Sequence, residues 1–255
     1  MIDIEKARKE FDDYTKNYDL NNENLNRKYY HTYRVMGISK AIAKSLNLSN
    51  EEINLAEIIG LLHDIARFEQ FTKYHTFADS ISVDHGDLGV EILTKENYIR
   101  KFIETDEYDN IIIKAIKNHN KYQIGEGLTE QELMYAKIIR DADKLDIYYE
   151  TLTLFYKKDE EKQEIENGII TDYIMNQIKK EKQILKSPNP EAIDRLLVNL
   201  CFVFDLNFNY SFKLLQEKEY INKIIDRFRF SNEETRNQIE QIRQIINKYI
   251  QKKGW

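Results

Sequence analysis

The five histidines of this chain, His31, His63, His75, His85 and His119, all lie in its first half. A neutral imidazole offers a lone pair to a metal ion, and near neutral pH it can also take or give a proton. Two carboxylate-bearing segments accompany them: Leu61-Leu62-His63-Asp64-Ile65-Ala66 and Asp141-Ala142-Asp143-Lys144-Leu145-Asp146. Alone among apolar neighbours, the Asp64 carboxylate would carry a large desolvation cost, which a cation removes. Adjacent residues on a helix point about 100° apart, so His63 and Asp64 can both touch one ion at a helix surface. Asp143 has Ala136, Ile139 and Ile147 one or two turns away and is expected to point into the core. Imidazoles with carboxylates suit Mn²⁺, Fe²⁺, Mg²⁺, Co²⁺, Ni²⁺ or Zn²⁺, as one ion or two.

The elements that must position these residues read as helices. Only 2 prolines and 8 glycines occur in 255 residues, too few breakers for a sandwich, a barrel or a doubly wound sheet. Strict alternation of apolar and polar residues is absent, so almost no strand is expected. Ser49-x-x-Glu52 predicts a capping box opening a helix whose apolar run covers residues 53–68, with His63-Asp64 upon it. Thr129-x-x-Glu132 predicts another, through about Leu154, and Ser231-x-x-Glu234 a third, towards Tyr249. Asn21 or Asn22 can cap a helix through Leu46, Asp84 one through Lys95, and Asp106 one through Asn118. His31, His63, His85 and His119 then fall on inward-facing stripes of separate helices. His75 falls in residues 70–79, a polar and aromatic connection that reads as a loop long enough to cover a pocket. The clearest break is Ser187-Pro188-Asn189-Pro190, read as a turn between helices.

The order His31, then His63-Asp64, then Asp143 resembles the H…HD…D signature of the HD superfamily of metal-dependent phosphohydrolases. Ala142-Asp143-Lys144-Leu145 resembles that family's AD(R/K)L element, which selects Asp143 over Asp141 and Asp146. The resemblance covers roughly residues 25–150. It implies an all-α, HD-domain-like helical bundle with additional C-terminal helices. It implies His31, His63, Asp64 and Asp143 as metal ligands. The expected organisation is a single helical domain, an HD core over about residues 22–155 and a helical extension over about 156–255. His85 and His119 lie where binuclear HD phosphodiesterases, including the HD-GYP branch, carry histidines for a second metal. His63-Asp64-Ile65-Ala66-Arg67 also resembles that branch's HDIGK element, with Ala66 for Gly and Arg67 for Lys. Asn120 stands where a second adjacent histidine would be, and no Gly-Tyr-Pro tripeptide occurs. Both departures count against a cyclic-dinucleotide phosphodiesterase.

The resemblance implies hydrolysis of a phosphate ester or anhydride of a small molecule, with a nucleotide as the expected substrate. Asp64, His85 and His119 are the candidate catalytic residues, and His85, His119 and Arg67 the candidates for a second metal or for substrate. Arg67 is the best-placed cation for a phosphate, with Lys121 and Lys144 behind it. Two other readings stand beside this one: a di-iron oxygenase on an HD-like scaffold, and a non-catalytic HD signalling module. The formal net charge of −6, with basic residues dispersed, excludes general attraction to long nucleic acid or anionic membrane. The first 20 residues lack the apolar core of a signal peptide, and no apolar run is long enough to span a bilayer, so a cytoplasmic location is expected. The single Cys201, within the apolar residues 196–204, reads as core filler. The amphipathic stretches at residues 221–228 and 239–250 read as helices that pack on the first half or support a homodimer.

Overall fold

The computed structural model describes residues 2–185 and 191–254, and among these every regular element is helical, as an all-α fold requires. The Pro188 and Pro190 segment lies outside the described residues. The chain divides into two compact units, residues 1–143 and 144–255.

The first unit contains α1 (Ile4–Thr15), α2 (Glu23–Ser45), α3 (Asn50–Leu62), α4 (Ala66–Tyr74), α5 (His85–Thr94), α6 (Asp109–Asn118) and the first part of α7 (Glu130–Thr153). Local chemistry sets several of these starts. Asn22 caps α2 by accepting from Asn24 N at 3.0 Å, and Asp84 caps α5 by accepting from Asp87 N at 3.0 Å. Ser49 and Glu52 form the expected capping box on α3, and Thr129 and Glu132 exchange the same two bonds at α7. The expected cap at Asp106 does not form. Thr105 and Asp106 instead close a tight turn onto Glu107 N and Asp109 N, and α6 starts three residues later.

The apolar run at residues 53–68 is not one helix. α3 ends at Leu62, residues 63–65 make a turn, and α4 begins at Ala66. His63 Nδ1 donates to the Gly60 carbonyl at 2.8 Å, the acceptor that the fourth residue onward would use in a continuing helix. The side chain thus takes over a backbone acceptor at the point where the helix stops. The expected loop at residues 70–79 is likewise half helix, because α4 continues to Tyr74 and ends on His75 in the left-handed conformation, φ 55°.

α3 is the centre of this unit. Ile53, Leu55, Ala56, Ile58, Ile59, Leu61 and Leu62 are all buried, so beyond its first turn only Asn54 is not fully buried. α2 lies against it through a stripe that includes Lys28, His31, Val35, Met36, Ser39 and Ile42. The two backbones nearly touch at Gly60, where a Cβ would lie 2.8 Å from Met36 Cα. α5 and α6 approach in the same way: a Cβ on Gly86 would meet the Asn120 side chain at 2.5 Å and the Ile116 carbonyl at 3.2 Å. These close approaches bring His31 to His63 and His85 to His119.

The second unit holds the rest of α7, then α8 (Asp159–Glu166), α9 (Asp172–Lys179), α10 (Ala192–Leu200), α11 (Asn209–Lys218), α12 (Tyr220–Ile225) and α13 (Glu233–Lys253). Its core includes Tyr148, whose hydroxyl donates to the Leu200 carbonyl, and Cys201, whose thiol burial pushes well above its ordinary pKa. Cys201 is therefore inert packing. The cap expected at Ser231 belongs to Asn232, which accepts from Thr235 N at 3.1 Å. Among the described residues no helix is long and apolar enough to cross a membrane.

Gly60→Ala forces the α2 and α3 backbones apart, and overpacking of this kind costs about 1–3 kcal/mol. Urea denaturation is expected to show that loss, with a parallel drop in divalent-cation affinity as His31 and His63 separate. An unchanged midpoint would mean the helices relax around the methyl group.

Candidate metal centre

Four imidazoles and two carboxylates from separate elements meet in the first unit. His31 comes from the buried stripe of α2, His63 and Asp64 from the α3–α4 turn, and His85 from the first position of α5. His119 follows directly on α6, and Asp143 comes from α7. All four histidines are buried, and Asp64 is 2% exposed.

They form two pairs around Asp64. His31 Nε2 and His63 Nε2 are 3.3 Å apart and lie 3.5 and 3.6 Å from Asp64 Oδ2. Asp143 Oδ1 completes this pair, 3.2 Å from His31 Nε2 and 3.8 Å from His63 Nε2. His85 Nε2 and His119 Nε2 are 3.0 Å apart and lie 3.4 and 3.6 Å from the other oxygen, Asp64 Oδ1. The ligand atoms of His31, His63 and Asp64, and those of Asp64, His85 and His119, are each grouped tightly enough to hold an ion. The sequence-predicted residues are thus brought together, and Asp64 presents one oxygen to each pair.

The partners of the outer ring nitrogens fix which imidazole nitrogen carries the proton. His119 Nδ1 lies 2.6 Å from the Ile116 carbonyl, an acceptor only, so Nδ1 is the donor and Nε2 keeps its lone pair. His85 Nδ1 lies 2.6 Å from Asp79 Oδ2 and donates to it, with the same result. His63 Nδ1, on the Gly60 carbonyl, gives a third free Nε2. The lone pairs of His85 and His119 therefore face each other at 3.0 Å beside a carboxylate oxygen. Only a proton or a cation between them removes that repulsion. Burial, reinforced by the Arg67 charge, pushes the His85 imidazole down to about 3, so a proton is a poor solution. The donor set fits a divalent cation.

The remaining electrostatics keep this set ready for metal. Burial pushes the His63 imidazole down to about 4, against the pull of Asp64 and Asp143. Burial alone would raise the Asp64 carboxyl, but Lys28, His63 and Arg67 hold it well below the usual carboxylate range. Asp143 is lowered in the same way, its hydrogen bond with His31 overcoming burial. Metal ligands must be deprotonated, and His63, His85, Asp64 and Asp143 are held in that direction.

Around the set, Asp79 orients the His85 ring, and its own position is fixed by Arg67, Gln70 and Asn120 at 3.0–3.2 Å. Asn120 bridges Asp79 to the α5 cap Asp84, which donates nothing to the centre but fixes the helix that carries His85. The Arg140 guanidinium, 1% exposed, donates to the carbonyls of Asn118 and Lys121 and so holds the end of α6 at His119.

Arg67 reaches the site as expected: Nε is buried without a hydrogen-bond partner, 3.4 Å from Asp64 Oδ1. Lys121 does not, being paired with Asp84 and Asp87, and Lys144 pairs with Asp205 in the second unit. His75 is exposed and outside the cluster. Two functional residues escape a sequence reading. Lys28 sits one turn before His31 on the same stripe, a usable signal, and its Nζ lies 2.7 Å from Asp64 Oδ2. Asp79 opens a single 3₁₀ turn, residues 79–81, too short for periodicity to mark it.

Residues 29–148 match the family model of the HD domain. No curated protein and no solved structure matches the chain.

His63 and His85 are neutral in the fold, whereas in the unfolded chain they take protons below about pH 6.5. Stability of the chelator-treated protein is therefore full above that pH and falls as pH drops towards 4, by up to about 1.4 kcal/mol per unit for each histidine. Urea midpoints at pH 7 and pH 5 measure this. A flat profile would mean that these rings titrate alike in the folded and unfolded chain.

Proposed function

With residues 29–148 forming an HD domain, we propose that this protein is a metal-dependent phosphohydrolase acting on a phosphate ester or anhydride of a small molecule, with a nucleotide as the expected class. One observation carries the reading: Asp64 divides its two oxygens between two imidazole pairs, the arrangement a carboxylate needs to bridge two cations. His31, His63, Asp64 and Asp143 would hold one ion. Asp64, His85 and His119 would hold the other.

A bound divalent cation supplies an acidified water and positive charge for phosphoryl oxygens. The chain's own residues do the rest. Asp64 fixes the spacing between the two halves of the site. Asp143, the ligand-set carboxylate with the most access to solvent at 16% of its side chain, is placed to accept a hydrogen bond from the attacking water and orient it. Arg67 Nε has a free donor at Asp64 and can turn it to a phosphoryl oxygen. His85 and His119 suit ligation better than proton donation, since the tautomer fixed at Nδ1 leaves neither Nε2 a proton to give. Asp79 serves the second pair by raising the basicity of His85.

The test is purification without chelator, metal quantification, and assay of nucleotides and other phosphate esters with added Mn²⁺ or Co²⁺. Bound divalent metal and turnover of at least one ester are expected, and Asp64→Ala is expected to lose both. Metal-loaded protein that turns over no phosphate ester overturns the assignment, and two irons per chain with that result would favour the oxygenase. Asp79→Asn keeps an acceptor for His85 but removes its charge. It is expected to weaken binding of the second ion by roughly 10–100-fold with the first unaffected, read by calorimetric titration. Equal loss at both sites would show a general effect on folding.

A further inference from the structure

Lys28 has no part in the ligand set, yet it is the closest charged neighbour of the bridging carboxylate. Its ammonium lies 2.7 Å from Asp64 Oδ2, with the side chain 10% exposed. An ammonium has three N–H donors, and Asp64 is the acceptor that takes one of them. Its remaining close neighbour is the face of Phe77, whose ring centroid is 5.8 Å away. Arg67 stands across the same carboxylate, with Nε buried and without a hydrogen-bond partner 3.4 Å from Oδ1 and its guanidinium 5.6 Å from the same ring. Arg27 lies on that ring as well, at 5.5 Å. Two cations with unsatisfied donors thus flank one carboxylate at the metal centre, held at its edge by one aromatic ring.

Resting on the phosphohydrolase reading, we propose that Lys28 and Arg67 form an anion clamp that selects a terminal, dianionic phosphoryl group, so that the substrate is a phosphomonoester or a terminal anhydride and not a phosphodiester. The argument is one of oxygen count against donors. Lys28 pairs with Asp64, and Arg67 with Asp64 and Asp79. A diester brings two non-bridging oxygens, and two metal ions could engage both. A monoester dianion brings a third oxygen, which the donors of Lys28 and Arg67 not taken by Asp64 can meet. Lys28 has a second consequence. In the metal-free chain its ammonium already neutralises Asp64, so it competes with an arriving cation for the same oxygen. Once a cation is bound, like charges repel and the ammonium is released towards the anion.

Lys28→Met separates these effects, because metal and phosphate binding should change in opposite directions. Mn²⁺ affinity by calorimetry is expected to hold or rise. Affinity of the Mn²⁺-loaded protein for inorganic phosphate is expected to fall by about tenfold or more, the size of one charge-assisted hydrogen bond. Lys28→Arg is expected to restore it. Lys28→Gln, which keeps a bond to Asp64 without the charge, serves if the methionine variant does not fold. Wild-type protein is expected to cleave p-nitrophenyl phosphate in preference to bis(p-nitrophenyl) phosphate, with the preference reduced in the variant. Unchanged phosphate affinity in a variant that loads metal overturns the clamp, as does wild-type preference for the diester, and both leave a phosphohydrolase standing. Wild-type protein that loads metal but cleaves neither ester overturns the phosphohydrolase reading itself.

Discussion

The structure of the first unit depends on an electrostatic problem at its centre. Three Nε2 lone pairs whose tautomers are fixed by Gly60, Asp79 and Ile116, together with His31, converge on the carboxylates Asp64 and Asp143 with water largely excluded. Such a set is unfavourable alone and favourable around cations. Lys28 and Arg67 compensate part of it in the bare chain. The close helix approaches at Gly60 and Gly86 hold the two pairs at ligand spacing. A site of this kind needs rigid support, and each imidazole has it: a backbone carbonyl for His63 and His119, a carboxylate for His85, and the packed stripe of α2 for His31.

Much of this was legible from residue types and order. His31, His63, Asp64, His85, His119 and Asp143 meet as their spacing and family resemblance imply, because histidines on apolar stripes of separate helices have few places to go but the core. The helical class followed from scarce breakers, and four of the six expected caps follow from short polar side chains at the right offset. Two caps were misplaced, at Asp106 and Ser231, where a neighbouring residue offered a competing turn or a better-placed acceptor. The interruption at residues 63–65 was hidden by its own hydrophobicity: Ile65 and Ala66 continue the apolar pattern, while the break comes from a side-chain bond to Gly60. Lys28 and Asp79 were missed because their roles are set by partners 36 and 6 residues away, and Asp79 sits in a 3₁₀ turn too short to show a period.

The turn at His63-Asp64 also shows why the two residues must be adjacent. Leaving the helix lets His63 reach back to Gly60 while Asp64 faces both pairs and is met by His31 and Lys28 from α2 and by His85 and His119 from α5 and α6. On an uninterrupted helix the two side chains would diverge by about 100°, and one carboxylate could not serve both groups as directly.

The boundary between the two units falls immediately after Asp143, so the last residue of the polar cluster is also the last residue of the unit it completes. The cluster draws its residues from positions 31 to 143, on several separate elements. A chain emerging from the ribosome therefore lacks the Asp143 carboxylate of this cluster until almost all of the unit has been made. Closure of the first unit is then a late event in synthesis, and truncation just before α7 leaves five residues of the cluster without the Asp143 carboxylate.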